Sequence, residues 1–277
     1  MPTVPLCRFC IPMAAALCLL GSLTATAKPR GAVCMVGADG TLGSTLFFFQ
    51  SNVRTFASPE VKTRVVQSES LRALLAIENC PATAEEFFSG NRETAQSWIA
   101  ALPTILQPYV PGRLTPDIVS TIIQRVPCSR GTPLLCSLRE ELKKLAAEAS
   151  GRNPPPPAAG HPCTDLAPLI LENALPYFSE DLRDLAFDLT RDLAFIGAVC
   201  PDQLFGFMHT HPEDFDLWLG WLEGAIFDVD PSAVPLVKEY RLALIAAVKR
   251  STRSNEYEAE KRRALDRLGN TPVVPIN

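Results

Sequence analysis

Two histidines one residue apart, His209 and His211, open the most chemically suggestive string in the chain. Pro212 follows them, and Asp214 and Asp216 stand close behind. Imidazole nitrogens and carboxylate oxygens are the donors that zinc-like divalent metals take. A metal-dependent hydrolase using His209 and His211, with Asp214 as a further ligand, is therefore one reading. A second pattern is a row of acids. Asp181, Asp184, Asp188 and Asp192 recur at three- and four-residue steps, which gathers them on one side of a helix. Such a row could face a basic protein partner, with Trp221 as a neighbouring surface aromatic. A third pattern is a set of six cysteines past residue 27: Cys34, Cys80, Cys128, Cys136, Cys163 and Cys200. In an oxidising compartment an even set reads as a disulfide framework. None forms a CxxC pair, which argues against a thioredoxin-like or zinc-ribbon site.

The string His209-Thr210-His211-Pro212 is similar to part of the signature of JAMM-type zinc isopeptidases. The likeness stops there. That family continues to a Ser and then an Asp, where this chain has Leu219 or Gly220 and then Leu222 or Glu223. Its His pair also ends a strand, whereas the pattern here is helical. No Gly-x-Ser-x-Gly elbow, phosphate-cradling Gly-rich loop or His-Glu-x-x-His helix occurs. No catalytic residue is assigned, no metal is the leading expectation, and no cofactor is called for.

Arg8, an apolar run over 11–23 and the small-x-small site Ala25-Thr26-Ala27 predict a signal peptide over 1–27. The run is shorter than the ~20 apolar residues of a bilayer-spanning helix, so no membrane span is expected after cleavage. The remaining 250 residues carry 25 bases against 30 acids, a net of −5, which gives no reason to bind nucleic acid. The charge is unevenly spread. From Asp165 to Glu239 there are 15 acids and three bases; from Arg241 to Arg267 there are eight bases and four acids. The acidic stretch could steer a basic partner, or the basic C-terminal helix could fold against it.

The expected fold is all-α. Leu182, Leu185, Leu189, Leu193 and Ile196 form one apolar helical stripe opposite the acid row. Ser179 is a candidate N-cap for it, and Cys200-Pro201 ends it. Thr115-Pro116 reads as a helix start. Ser137 and Glu140 read as a capping box. Phe47-Phe48-Phe49 fits a strand or a buried helix equally well. Phe215, Trp218, Leu222 and Ile226 make a second apolar stripe.

Sliding the chain on itself by 120 residues superposes Cys80-Pro81 on Cys200-Pro201, Phe87 on Phe207, Trp98 on Trp218 and Ile122 on Leu242. This predicts an internal duplication. The Pro154–Pro157 run breaks the copies apart. The expected organisation is unit 1 over 28–150, a Pro-rich linker over 151–162, unit 2 over 163–250, and a basic helix and tail over 251–277. In unit 2, Cys163 precedes a helix over about 164–177, and a returning helix over 179–199 ends at Cys200. An antiparallel hairpin brings these two cysteines together. The same layout pairs Cys34 with Cys80, which leaves Cys128 with Cys136 as a local loop before the Ser137 helix.

These readings converge on an exported, extracytoplasmic (periplasmic or secreted), non-enzymatic helical protein that presents an acidic face to a protein partner. An immunity or inhibitor protein is one concrete form. The alternatives are the metal-dependent hydrolase and a carrier of an apolar ligand between the two units.

Overall fold

Proline sets where most helices of this chain begin. Its ring fixes φ and its missing N–H costs nothing in a helix's first turn. The computed structural model describes residues 29–275 except 53–55, 57, 111, 151–161, 175–185, 230–233, 252–255 and 271–273. Helix α1 (Pro29–Ala32) runs through a π-helical segment, Val33–Ala38, into α2 (Asp39–Gln50). The Phe47-Phe48-Phe49 run is thus helical. Then come α3 (Pro59–Asn79), α4 (Pro81–Gly90), α5 (Arg92–Leu106), α6 (Pro116–Arg125) and α7 (Pro133–Ser150). The second half supplies α8 (Pro162–Asp165), α9 (Ala167–Glu172), α10 (Ala186–Val199), α11 (Pro201–Thr210), α12 (Pro212–Phe227), α13 (Val234–Ser251) and α14 (Glu258–Asn270). Beyond helices, Asp228–Val229 and Val274–Pro275 make a two-residue parallel contact.

Caps follow the local chemistry in two places. The Ser58 hydroxyl accepts the Val61 amide at 3.2 Å, and the Thr115 hydroxyl accepts the Ile118 amide at 3.4 Å. A third start does not. The sequence pointed to Ser137 as a cap, but α7 begins at Pro133, so Ser137 lies inside the helix and donates to the Pro133 carbonyl. The cap comes from α4 instead. The buried Glu85 carboxylate accepts the Leu134 amide at 3.2 Å and the Leu135 amide at 3.0 Å. A carboxylate at a helix N-terminus satisfies orphan N–H groups and meets the positive end of the dipole.

Helix α3 is the axis of the first half, packed by α2, α4, α5 and the π segment; α10 takes the same place in the second half, against α11, α12 and α13. The halves interlock. The π segment and α2 also pack on α10, while α9 packs on α3. Gly37 is the closest point of that crossing: a Cβ there would lie 2.6 Å from Cδ2 of Phe195. One hydrophobic core runs through both halves, from Ala32 and Leu42 to Leu244 and Leu268. Trp98 and Trp218 lie fully inside it. Trp98 donates from Nε1 to Ser70 Oγ at 3.0 Å, and Trp218 stacks on Phe215.

Cysteine pairs stand at disulfide distance: Cys34 with Cys80, Cys128 with Cys136, and Cys163 with Cys200. The first joins the π segment to the residue after α3, and the third joins α8 to the residue after α10; these are the pairs the hairpin layout expects, although the helix expected over 164–177 is described as two short pieces, α8 and α9. The second joins the loop at Cys128 to the first turn of α7. Among the described residues no helix is long and apolar enough to cross a membrane.

Candidate functional site

Helices α11 and α12, which lie within the acidic stretch, meet the basic helix α14. Buried Lys261 donates from Nζ to Asp202 Oδ1 at 2.9 Å and to the Ser251 carbonyl at 3.0 Å. Ser251 Oγ donates to the same Asp202 oxygen at 2.9 Å. Arg263 pairs with Asp216 and lies over the Phe215 ring, 5.0 Å from its centroid. Tyr257, in the left-handed region at φ 55°, lays its ring against Gly206, whose missing side chain makes room. Ala264 and Leu268, one turn apart on α14, enter the core. The basic helix therefore folds against the acidic stretch, the arrangement that the opposite charges of 165–239 and 241–267 allow.

The two histidines are held by different neighbours. His209 is exposed and its Nδ1 is hydrogen-bonded to Glu260 Oε1 at 2.9 Å. Burial is the largest single influence on Glu260 and works against its ionisation, yet the hydrogen bonds from His209 and its own backbone amide, with the charges of His209 and Arg263, together hold its carboxyl below the usual range. His211 stacks on Phe207, and its Nδ1 lies 2.9 Å from the Phe207 carbonyl. Asp214 is half-buried; burial raises its carboxyl above the usual range, while His211 opposes the shift. Each ring thus has its own local partners. Among the described residues no three His, Cys, Asp or Glu side chains gather as a metal-binding group.

The acid row of α10 divides. Asp181 and Asp184 lie outside the described residues; Asp188 is on α10, but its side chain, like that of Trp221, lies outside them too. Asp192 corrects the expectation of an exposed row: it is 1 % exposed. It accepts Thr41 Oγ1 at 2.8 Å and Arg72 Nη1 at 3.0 Å. Arg72 also donates from Nη1 to Glu69 Oε1 at 2.6 Å and from Nη2 to Ser68 Oγ at 2.9 Å. Removing a carboxylate from water costs several kcal/mol, so Asp192 goes inside only because a buried guanidinium and a hydroxyl meet it there.

Sequence reasoning passed over Glu69 and Arg72. Both lie on the buried side of α3, and two charges at helical spacing among Leu71, Leu74 and Leu75 were the available signal. It also passed over Glu85, and over Glu78, Arg125 and Asp165, a second cluster of two carboxylates and one guanidinium. The described concave surface includes an open groove between α12 and α14, lined by Leu219, Gly220, Arg263, Asp266, Arg267 and Asn270. No protein-family model, no curated protein and no solved structure matches the chain.

Proposed function

We propose that this chain is an exported, non-enzymatic helical interaction protein whose acidic second half receives a basic protein partner. The observation that carries this reading is the seat of α14. The acids of α11 and α12 accept a basic helix through Asp202 to Lys261 and Asp216 to Arg263. Glu213 remains exposed on the first turn of α12. A surface that pairs with basic side chains within the chain has the chemistry to pair with them from another protein. Opposite charge across such a surface speeds encounter more than it tightens the bound state. The three cysteine pairs at disulfide distance support an oxidising compartment.

The same reading includes two equivalent units. Helices α4 and α11 have ten residues each and begin 120 residues apart, after cysteines of nearly the same backbone angles: φ −135°, ψ 56° at Cys80 and φ −133°, ψ 58° at Cys200. Arg72 and Asp192 are also 120 residues apart, and they touch. In a two-fold arrangement, only positions at the axis meet their own equivalents. The reciprocal packing of α2 on α10 and α9 on α3 has the same isologous sense. One offset position departs from this: Ile122 is buried, whereas Leu242 is 60 % exposed.

The test uses the intact protein isolated from the medium or envelope fraction. A stoichiometric basic partner should co-purify, and its association rate should fall as salt rises, since exposed charges are screened within about 10 Å at 0.1 M. Glu213→Lys with Asp214→Lys should lower that rate with little change in melting temperature. A partner indifferent to both salt and charge reversal would remove the acidic-face reading, and a stoichiometric metal lost on His209→Ala would replace it with the hydrolase.

A further inference from the structure

The seat of the second half's first helices on the first half holds an ionic cluster of unusual geometry. Glu78 stands in the last turn of α3, two residues before Cys80. Arg125 ends α6. Asp165 ends α8, two residues after Cys163. The Glu78 side chain is fully covered, and those of Arg125 and Asp165 are 23 % and 17 % exposed. Arg125 Nη1 sits between the carboxylates, 3.6 Å from Glu78 Oε1 and 3.7 Å from Asp165 Oδ2. Both distances lie beyond a hydrogen bond. Among the described residues, neither Glu78 oxygen has a hydrogen-bond partner, nor does Arg125 Nη1 or Asp165 Oδ2.

One guanidinium therefore faces two carboxylates in a covered place, and only one of them need be charged for the cluster to be neutral. A buried charge without hydrogen bonds is strongly disfavoured. Asp165 has some contact with water and Glu78 has none, so Glu78 is the group to carry the proton. Burial pushes the Glu78 carboxyl up to about 7, against the opposing pull of Arg125 and with a further push from Asp165. The rest of this seam is held differently. Tyr109 Oη donates to Asn173 Oδ1 at 2.9 Å, and Arg113 pairs with Glu172 at 3.0 Å on the exposed surface.

We propose that Glu78, Arg125 and Asp165 form a proton-dependent latch that seats α8 and α9 on the first half when Glu78 is protonated and loosens that seat when Glu78 ionises. With the proton on, Arg125 neutralises Asp165 and Glu78 packs as a neutral acid. With it off, two carboxylates share one guanidinium, and the cluster relieves its excess charge by admitting water. The outlet is the α8–α9 seam, because α8 is a single turn and its Asp165 is the cluster member contributed from across the halves. Cys163, joined to Cys200, keeps α8 tethered, so the expected change is local loosening rather than separation.

The experiment is amide hydrogen exchange of the full mature chain at pH 6 and pH 8, corrected for intrinsic exchange, beside a carbon-13 NMR titration of the Glu78 carboxyl. The expected result is about tenfold faster corrected exchange in α8 and α9 at pH 8, with α5 and α7 unchanged. Glu78→Gln should abolish the pH effect and hold the protected state at both values. Glu78 should titrate far above an ordinary Glu. A Glu78 titration in the ordinary carboxylate range, or equal pH effects in the wild type and Glu78→Gln, would overturn the latch. The NMR arm needs no variant and decides the matter even if a substituted chain folds poorly.

Discussion

Two clusters in this molecule have the same formula, two carboxylates and one arginine, and opposite character. Around Arg72, both carboxylates are within hydrogen-bond distance at 2.6 and 3.0 Å, and Ser68 and Thr41 take up further valences. Around Arg125, the corresponding distances are 3.6 and 3.7 Å; the Thr164 hydroxyl donates to Asp165 Oδ1, but among the described residues no donor is within hydrogen-bond reach of either Glu78 oxygen. The first therefore holds its charges in fixed geometry, and the second invites a proton. Burial alone does not decide whether an ionic group is structural or titratable. The number of donors aimed at each oxygen does.

Breaking the well-bonded cluster should have the largest effect. Asp192→Ala leaves the Arg72 guanidinium buried with one carboxylate in place of two, and should cost about 3–5 kcal/mol in chemical denaturation. The corresponding Asp165→Ala should cost far less, because Arg125 and Asp165, 3.7 Å apart, share no hydrogen bond to lose and Asp165 is partly exposed. Equal costs would erase the distinction between the clusters.

Next in size is the bridge beside the loose cluster. Opening Cys34–Cys80 by a double Cys→Ser substitution should cost about 2–4 kcal/mol. It frees the end of α3 two residues from Glu78, so the Glu78 titration should also move toward an ordinary carboxylate, which NMR would read. Opening Cys128–Cys136, with a separation of 8 residues against 46, should cost less and leave that titration in place.

The pH dependence comes third. Below the ordinary Glu value of 4.5, Glu78 is protonated whether folded or unfolded, and its contribution is fully present. As pH rises, the unfolded chain ionises first while the folded chain resists up to about 7. Stability should thus fall by on the order of 2 kcal/mol between pH 4.5 and 7 and level off above. Melts of Glu78→Gln should lack this component. A wild-type curve that rises over the same interval would contradict the assignment of the proton.

The smallest effect concerns a buried carboxylate held by amides alone. Glu85→Gln keeps one acceptor oxygen for the Leu134 and Leu135 amides and should cost about 1 kcal/mol, the usual size of a lost cap. The loss should appear as fraying of the first turn of α7 in hydrogen exchange. Ser137→Ala, at the position the sequence marks as a cap, should leave that turn unchanged.

Local signals in the chain were enough for the all-α class and for some helix boundaries. Thr115-Pro116 read as a helix start and Cys200-Pro201 as a helix end, and both act through neighbouring residues wherever the segment goes. The pairing of Cys34 with Cys80 and of Cys163 with Cys200 was also legible, because the antiparallel hairpin that the sequence predicts leaves little choice of which ends meet. The basic helix against the acidic stretch was legible as charge, though not as Lys261 on Asp202. The capping of α7, the burial of Asp192 and the covering of Glu78 were not legible. Each depends on a partner contributed from far along the chain: Glu85 for Leu134, Arg72 for Asp192, and Arg125 and Asp165 for Glu78. A carboxylate on a helix reads as solvated until something makes its burial tolerable. The sequence by itself determined that the chain is helical, where some helices begin or end, and which cysteines can meet, since those follow from short-range geometry. Only the tertiary structure decided which charges go inside, because that depends on donors that packing alone brings within reach.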